Sequence, residues 1–145
     1  MKLLLQRVRE AAVRVEGDTV GEIGAGLLVL VGMEKHDDHP AVTRMAERLV
    51  SYRVFSDEQG RMNRDVREAG GAVLLVSQFT LAADTRKGRR PSFSSAAPPE
   101  LAEPLYLALI DAVAGHGVPV ARGRFGADMQ VSLINDGPVT FLLEL

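Results

Sequence analysis

The run "VLLVSQFTLAAD", Val73 to Asp84, sets Ser77, Gln78 and Thr80 among apolar residues. A hydroxyl so placed could attack a carbonyl carbon, but a serine or threonine nucleophile needs a base to take its proton. The chain has no cysteine and only three histidines, His36, His39 and His116, none close in sequence to Ser77 or Thr80. Their surroundings read as turns and helix ends, so a Ser-His-Asp relay or a zinc site has little material. What remains is a lysine, a group on the substrate, or the main chain. Where a strand widens into a loop, backbone N–H groups can face a pocket and stabilise an oxyanion. The plainer reading of the same residues is the hydrogen-bonded polar face of an edge strand.

Two further stretches have chemical potential. In "INDGPVT", Asn135-Asp136-Gly137 is turn chemistry, and Gly137-Pro138 gives the backbone conformations that other residues resist, a cis bond among them. A hairpin turn is its default account. In "TRKGRRPSF", Arg86, Lys87, Arg89 and Arg90 surround Gly88. Such a loop can hold phosphates although the formal net charge is -2; a solvated loop is the alternative. "HDDH", His36 to His39, has the look of metal ligands. Aspartates just before a helix are already explained by its N-cap and dipole, and no metal or other cofactor is expected.

These residues need elements to hold them. A chain of 145 residues with 46% apolar content suits one domain, residues 1–145, with a core that needs no disulfides. No apolar run approaches the ~18 residues of a membrane span. The apolar start of "MKLLLQRVRE" is cut short by Arg7 and Arg9, so a signal peptide is not expected and a cytoplasmic location is. Alternation in the first third predicts strands, with a hairpin signal at Gly17-Asp18. The apolar run Leu27 to Val31 predicts a strand buried on both faces. Val42, Met45, Ala46, Leu49 and Val50 form one stripe of an amphipathic helix, with Pro40 in its first turn and Asp38 or His39 at the N-cap. "YRVFSDEQGRMN" predicts strand, turn, strand. A second helix is expected over "PPELAEPLYLALIDAVAGHG", burying Leu101, Leu105, Ala108, Leu109, Ala112 and Val113, with a bend or late start at Pro104 and a stop at Gly115 and Gly117. The C-terminal segment predicts two strands around "NDGP". The order implies an α+β domain with mainly antiparallel sheet.

"SQFTL" and "NDGPVT", at this spacing and accompanied by "GEIGAGLLVLVG", "YRVFSD", "RPSFS" and "ADMQVSL", closely resemble the D-aminoacyl-tRNA deacylase family, the D-Tyr-tRNA(Tyr) deacylases, from Met1 to Leu145. The resemblance implies a curved, barrel-like, mainly antiparallel sheet with two main helices. It implies a metal-free hydrolase that cleaves the ester between a D-amino acid, or glycine mischarged on tRNA(Ala), and the terminal adenosine of tRNA. It further implies a homodimer whose active site lies at the subunit interface. By position, Ser77, Gln78, Phe79 and Thr80 would line the aminoacyl-adenosine pocket. Gly137 and Pro138, joined by a cis bond, would form a cross-subunit chiral selector that Arg7 pins, and Met129 and Phe125 would line the pocket.

The family loop usually carries an asparagine or variable residue where this chain has Arg89. On that basis Arg86, Lys87, Arg89 and Arg90 are expected to grip tRNA phosphates. Without a histidine or cysteine in the motifs, the expected mechanism relies on the tRNA 2′-hydroxyl and on the N–H groups of Phe79 and Thr80, with Thr80 as nucleophile the competing account. Two other functions remain open: a tRNA-acceptor or nucleotide-binding module without hydrolysis, and an editing enzyme of relaxed chirality that removes small L-residues such as alanine.

Overall fold

The long alternating pattern at the N-terminus becomes β1 (Lys2–Val15), the strand around which the sheet is assembled; the computed structural model describes all 145 residues. β1 pairs antiparallel with β2 (Asp18–Ile23) through Ala11–Val15 and with β3 (Gly26–Gly32) through Lys2–Val8. Across from both runs β8 (Gln130–Glu144), also antiparallel. β3 continues the sheet in parallel with β6 (Ala72–Ser77), and β6 in parallel with β7 (Val120–Arg122). β4 (Phe55–Ser56) and β5 (Met62–Arg64) form a small separate hairpin. Antiparallel pairs thus predominate, as expected, while one flank of the sheet is parallel.

The sheet curls until its two ends nearly meet. A Cβ on Gly21 of β2 would lie 2.2 Å from the carbonyl oxygen of Arg122 on β7, so only a glycine lets these strands approach and bring the barrel close to closure. The β1–β2 turn is centred on Glu16 and Gly17, at φ 51° and 84°, and Val15 pairs with Asp18; the turn is one residue earlier than Gly17-Asp18 suggested.

Both faces of the central strands are buried. Leu27, Val29 and Val31 of β3, with Val73 and Leu75 of β6, face the main core beneath the helices. Leu28, Leu74 and Val76 face a smaller core with Val8, Ala11 and Val13 inside the curl. Helix α1 (His39–Ser51) buries the expected stripe plus Ala41, and Asp38 is its N-cap, its Oδ1 accepting from Ala41 N–H at 2.9 Å. The neighbouring Asp37 has a different task from the dipole role assigned to it. It is buried and accepts, with Glu34, from the α-amino group of Met1 at 3.0 and 2.7 Å. Helix α2 (Pro99–Ala114) packs against α1 and runs through Pro104. The N–H groups of Leu101 and Ala102 both donate to Pro98, which sets the start at Pro99, so the late start is not observed. Ala102, Tyr106 and Ile110 are buried alongside Leu105, Leu109 and Val113, whereas Leu101, Ala108 and Ala112 are only partly buried.

The C-terminal segment corrects a further expectation. "NDGP" does not turn the chain back: both halves of the segment run the same way along β1, Val131 opposite Val13 and Glu144 opposite Lys2. "NDGP" is therefore an interruption within one strand.

Because the clash at Gly21 is with main chain, Gly21→Ala is expected to cost about 1–3 kcal/mol in chemical denaturation. An unchanged midpoint would show that β2 and β7 part without penalty.

Candidate active site

Ser77 is the last residue of β6, and there the strand leaves the sheet. Gln78 still donates its N–H to Val31 at 2.8 Å, then Phe79–Ala82 coil into one 3₁₀ turn, closed by Leu81 N–H on the Gln78 carbonyl at 3.1 Å. The apolar run after Ser77 is thus a turn and not a resumed strand. No acceptor within the chain takes the N–H groups of Phe79 or Thr80, the first two of that turn. The Gln78 side-chain amide donates to Thr80 Oγ1. Thr80 is exposed and has no base beside it.

Below this strand end opens a cavity of ≈ 500 Å³. Ser77, Gln78 and Phe79 form one wall; Val31 follows from β3 and Met33 from just beyond its end, Ala102 and Tyr106 from α2, and Phe125 to Met129 from the loop after β7. The lining is mainly apolar, with Asp128 its one acidic side chain and no histidine. His36, His39 and His116 are all exposed elsewhere. No group of three His, Cys, Asp or Glu residues is arranged to hold a metal ion. The cavity can therefore take a compact, partly apolar ligand and offer main-chain donors at its rim.

Of the residues singled out in the sequence, the cavity joins Ser77, Gln78 and Phe79 to Phe125 and Met129. It does not include Thr80, which is exposed beyond Phe79, and it does not include Arg7, Gly137 or Pro138 of the same chain. Arg7, Gly137 and Pro138 form a second assembly. Gln6 pairs with Thr140 and Val8 with Asn135, so β8 supplies four residues, Asp136 to Val139, where β1 supplies only Arg7. The surplus bulges out and is held at both ends. Asn135 Oδ1 accepts from Val139 N–H at 2.8 Å, and Asn135 Nδ2 donates to Thr140 Oγ1 at 3.1 Å. Arg7 Nε donates to the Asp136 carbonyl at 2.9 Å and its Nη1 to the Val54 carbonyl at 2.8 Å. The Gly137–Pro138 peptide is cis and both residues are exposed. Gly137 has φ 150°, and a Cβ there would sit 2.6 Å from Val139 Cγ2.

The basic loop is a closed structure. Asp84 and Ser92 exchange backbone hydrogen bonds at 2.7 and 3.0 Å across its neck. Arg86 does not stand free: its Nε and Nη2 reach the two oxygens of Asp84 at 2.9 and 2.8 Å. These bonds hold the Asp84 carboxyl well below the usual range and push the guanidinium up. Lys87, Arg89 and Arg90 are exposed and have no acidic partner.

Tyr106 was not anticipated. Its ring is buried under Phe125, with centroids 5.9 Å apart, and its hydroxyl donates to the Leu75 carbonyl at 2.7 Å. Burial pushes the phenol up to about 12, against the opposing charge of Arg122. The only local signal was a hydroxyl on an otherwise apolar helix face.

A curled, nearly closed α+β sheet backed by two helices, with a mainly apolar pocket at a strand end, defines a class of small single-domain proteins. Comparison with known proteins gives the family. Residues 4–144 match the D-Tyr-tRNA(Tyr) deacylase family model, and the chain belongs to that family. It is 65% identical over all 145 residues, the full length of both chains, to a D-aminoacyl-tRNA deacylase of Alcanivorax borkumensis. It is 58% identical, again over both full lengths, to one of Cronobacter sakazakii. Among solved structures, the c-Myc DNA Unwinding Element Binding Protein superposes with a TM-score of 0.95 at 38% identity, covering 100% of this chain and 99% of that one. A probable eukaryotic D-amino acid tRNA deacylase, 17% identical with a TM-score of 0.87 over 99% and 98% of the two chains, shares the fold.

The Leu75 carbonyl also accepts from Gly123 N–H at 3.1 Å, so removing the phenol leaves it satisfied. Tyr106→Phe is expected to cost only about 0.5–1.5 kcal/mol at neutral pH. The raised phenol also gives a pH signature. Its contribution is full below the ordinary tyrosine value near 10 and fades as pH rises toward about 12. Parallel stability profiles for the wild type and Tyr106→Phe across that interval would remove Tyr106 as its source.

Proposed function

We propose that this protein is a D-aminoacyl-tRNA deacylase, a carboxylic ester hydrolase that releases D-amino acids, and glycine mischarged on tRNA(Ala), from the terminal adenosine of tRNA. The observation that carries this reading is the cavity at the end of β6, where Ser77, Gln78 and Phe79 meet Phe125 and Met129. Family membership gives the reaction, and the cavity has the size and mixed lining for an aminoacyl group entering ahead of its adenosine. The protein acts in the cytoplasm on soluble tRNA; no helix is long and apolar enough to cross a membrane.

The chemistry follows from what the site contains. Water attacks the ester carbonyl, the bond to the ribose oxygen breaks, and that oxygen leaves with a proton. The N–H groups of Phe79 and Thr80, free of acceptors within the chain, stabilise the oxyanion. The ribose 2′-hydroxyl assists the proton transfer, since no histidine is present to do so. Thr80 positions and does not attack, since no histidine lines the cavity to take its proton.

Chiral choice comes from a second copy of the chain. Gly137 and Pro138 stand outside the cavity of their own chain and are exposed, which supports their entering a partner's. β8 has no strand beyond it, and Ile134, Phe141 and Leu142 on it are 50%, 37% and 46% exposed, the kind of edge that a partner covers. The main chain of the bulge cannot rotate away from an L-side chain as another side chain could, whereas a D-residue or glycine clears it. Lys87, Arg89 and Arg90 hold acceptor phosphates, and Arg86 shapes their loop through Asp84.

Incubation with D-Tyr-tRNA and L-Tyr-tRNA is expected to release tyrosine from the D-ester alone. Equal release would move the protein to an editing enzyme of relaxed chirality, and no release from either would leave a binding module. Thr80→Ala is expected to keep kcat within about a hundredfold of wild type. A loss beyond three decades, with folding and binding intact, would make Thr80 the nucleophile.

A further inference from the structure

Phe93 has no role in the readings above, yet it remains 43% exposed beside Phe79, which lines the cavity. It lies 5.2 Å from the ring of Phe79, tilted by 45°, and Phe79 is itself 60% exposed. Two large apolar rings so placed form a continuous aromatic surface open to solvent. Their position is fixed by backbone bonds on both sides. Before Phe93, Ser92 closes the neck of the basic loop on Asp84. After it, Ala96 N–H donates to the Phe93 carbonyl at 3.1 Å and Ala97 N–H to the Met33 carbonyl at 3.0 Å, tying the segment to the end of β3.

The aromatic surface therefore sits between two features of known sign. On one side is the cavity, which Phe79 helps to line. On the other is the loop bearing Lys87, Arg89 and Arg90, exposed and without acidic partners. Aromatic faces next to a cationic track are how proteins hold unpaired nucleotides: bases stack on the rings and phosphates meet the cations. An apolar protein partner seated on the rings would leave the three cations unused, whereas a polynucleotide strand engages both.

We propose that Phe93, backed by Phe79, is the stacking platform for an unpaired base of the tRNA 3′ strand just upstream of the terminal adenosine, with Arg89 and Arg90 holding the flanking phosphates. This rests on the reading of the cavity as the aminoacyl-adenosine site. Phe93 is then a positioning residue: it sets how well tRNA is held and does not touch the ester.

The test compares two substrates that share the same ester. One is D-Tyr-tRNA; the other is adenosine carrying D-tyrosine on its ribose, which has no upstream nucleotides. Phe93→Ala is expected to lower kcat/KM on D-Tyr-tRNA by roughly 5- to 100-fold, the range of one lost base stack, through KM with kcat at saturation unchanged. The same variant should leave hydrolysis of the adenosine ester unaltered, and Phe93→Trp should restore tRNA affinity. Equal losses on both substrates, or restoration by Phe93→Leu, would show that Phe93 only packs against Phe79 and would overturn the proposal. So would a change in oligomeric size caused by Phe93→Ala, which would assign the rings to a second copy of the chain. If the wild type cleaves neither ester, the reading of the cavity falls, and the stacking platform with it.

Discussion

The mismatch between β1 and β8 is the constraint on which the exposed Gly137–Pro138 segment depends. Two strands paired over most of their length must keep step, but here four residues on one side face a single residue on the other. Asp136 to Val139 cannot be accommodated within the ladder, so they stand out from it as a bulge. The ladder resumes on either side, which fixes where the bulge begins and ends. The single residue opposite is Arg7, whose fork binds Asp136 and Val54 at once. A lysine there would have one donor centre where two directions must be served. The bulge is thus held from beneath by a partly buried guanidinium and across its neck by Asn135, and its tip has little freedom left.

The cavity is fixed by a different arrangement. β3 and β6 are covered on both faces, by the helices on one and by the inner core of the curl on the other. Strands buried in this way hold their ends firmly, and the chain can leave β6 at Ser77 without loosening the floor beneath it. The 3₁₀ turn that follows spends its carbonyls on Leu81 and Ala83 and leaves its leading N–H groups unbonded. Tyr106 reaches from α2 to Leu75 on β6, two residues before Ser77, and couples the helix layer to the strand that carries the site. Helix, strand and rim therefore form one rigid unit.

The sequence made some of this legible for physical reasons. Helix α1 could be read almost residue by residue because one face is buried and the other wet, so periodicity shows. Helix α2 is apolar nearly all round, and its stripe was misplaced by one position: Ala102, Tyr106 and Ile110 are deeper than Leu101, Ala108 and Ala112. The bulge was not legible as such. Asn-Asp-Gly favours a turn in either setting, and only pairing with β1, some 130 positions away in sequence, decides between a hairpin and a bulge. The neutralised state of Arg86 was hidden for the opposite reason. Asp84 was two residues away in plain view, but counting charges in a loop does not say which ones pair. The union of Ser77–Phe79 with Phe125 and Met129 came from resemblance to a family; periodicity alone would have placed them on separate elements with no reason to meet.

A site without a general base imposes a requirement on its geometry. When a side chain performs proton transfer, modest misplacement of the substrate lowers the rate but leaves a reaction path. When the catalytic groups are main-chain donors and a hydroxyl of the substrate itself, rate depends on where the substrate is held, and the enzyme must invest its structure in holding it. The features described above share that emphasis: an N–H pair fixed by a 3₁₀ turn, a bulge clamped at both ends, a loop neck closed by two backbone bonds, and rings anchored before and behind. None of them is a strong acid or base. On the mechanism proposed above, selectivity and rate share one source: a substrate of the wrong hand would be kept from the only position in which its own hydroxyl could act.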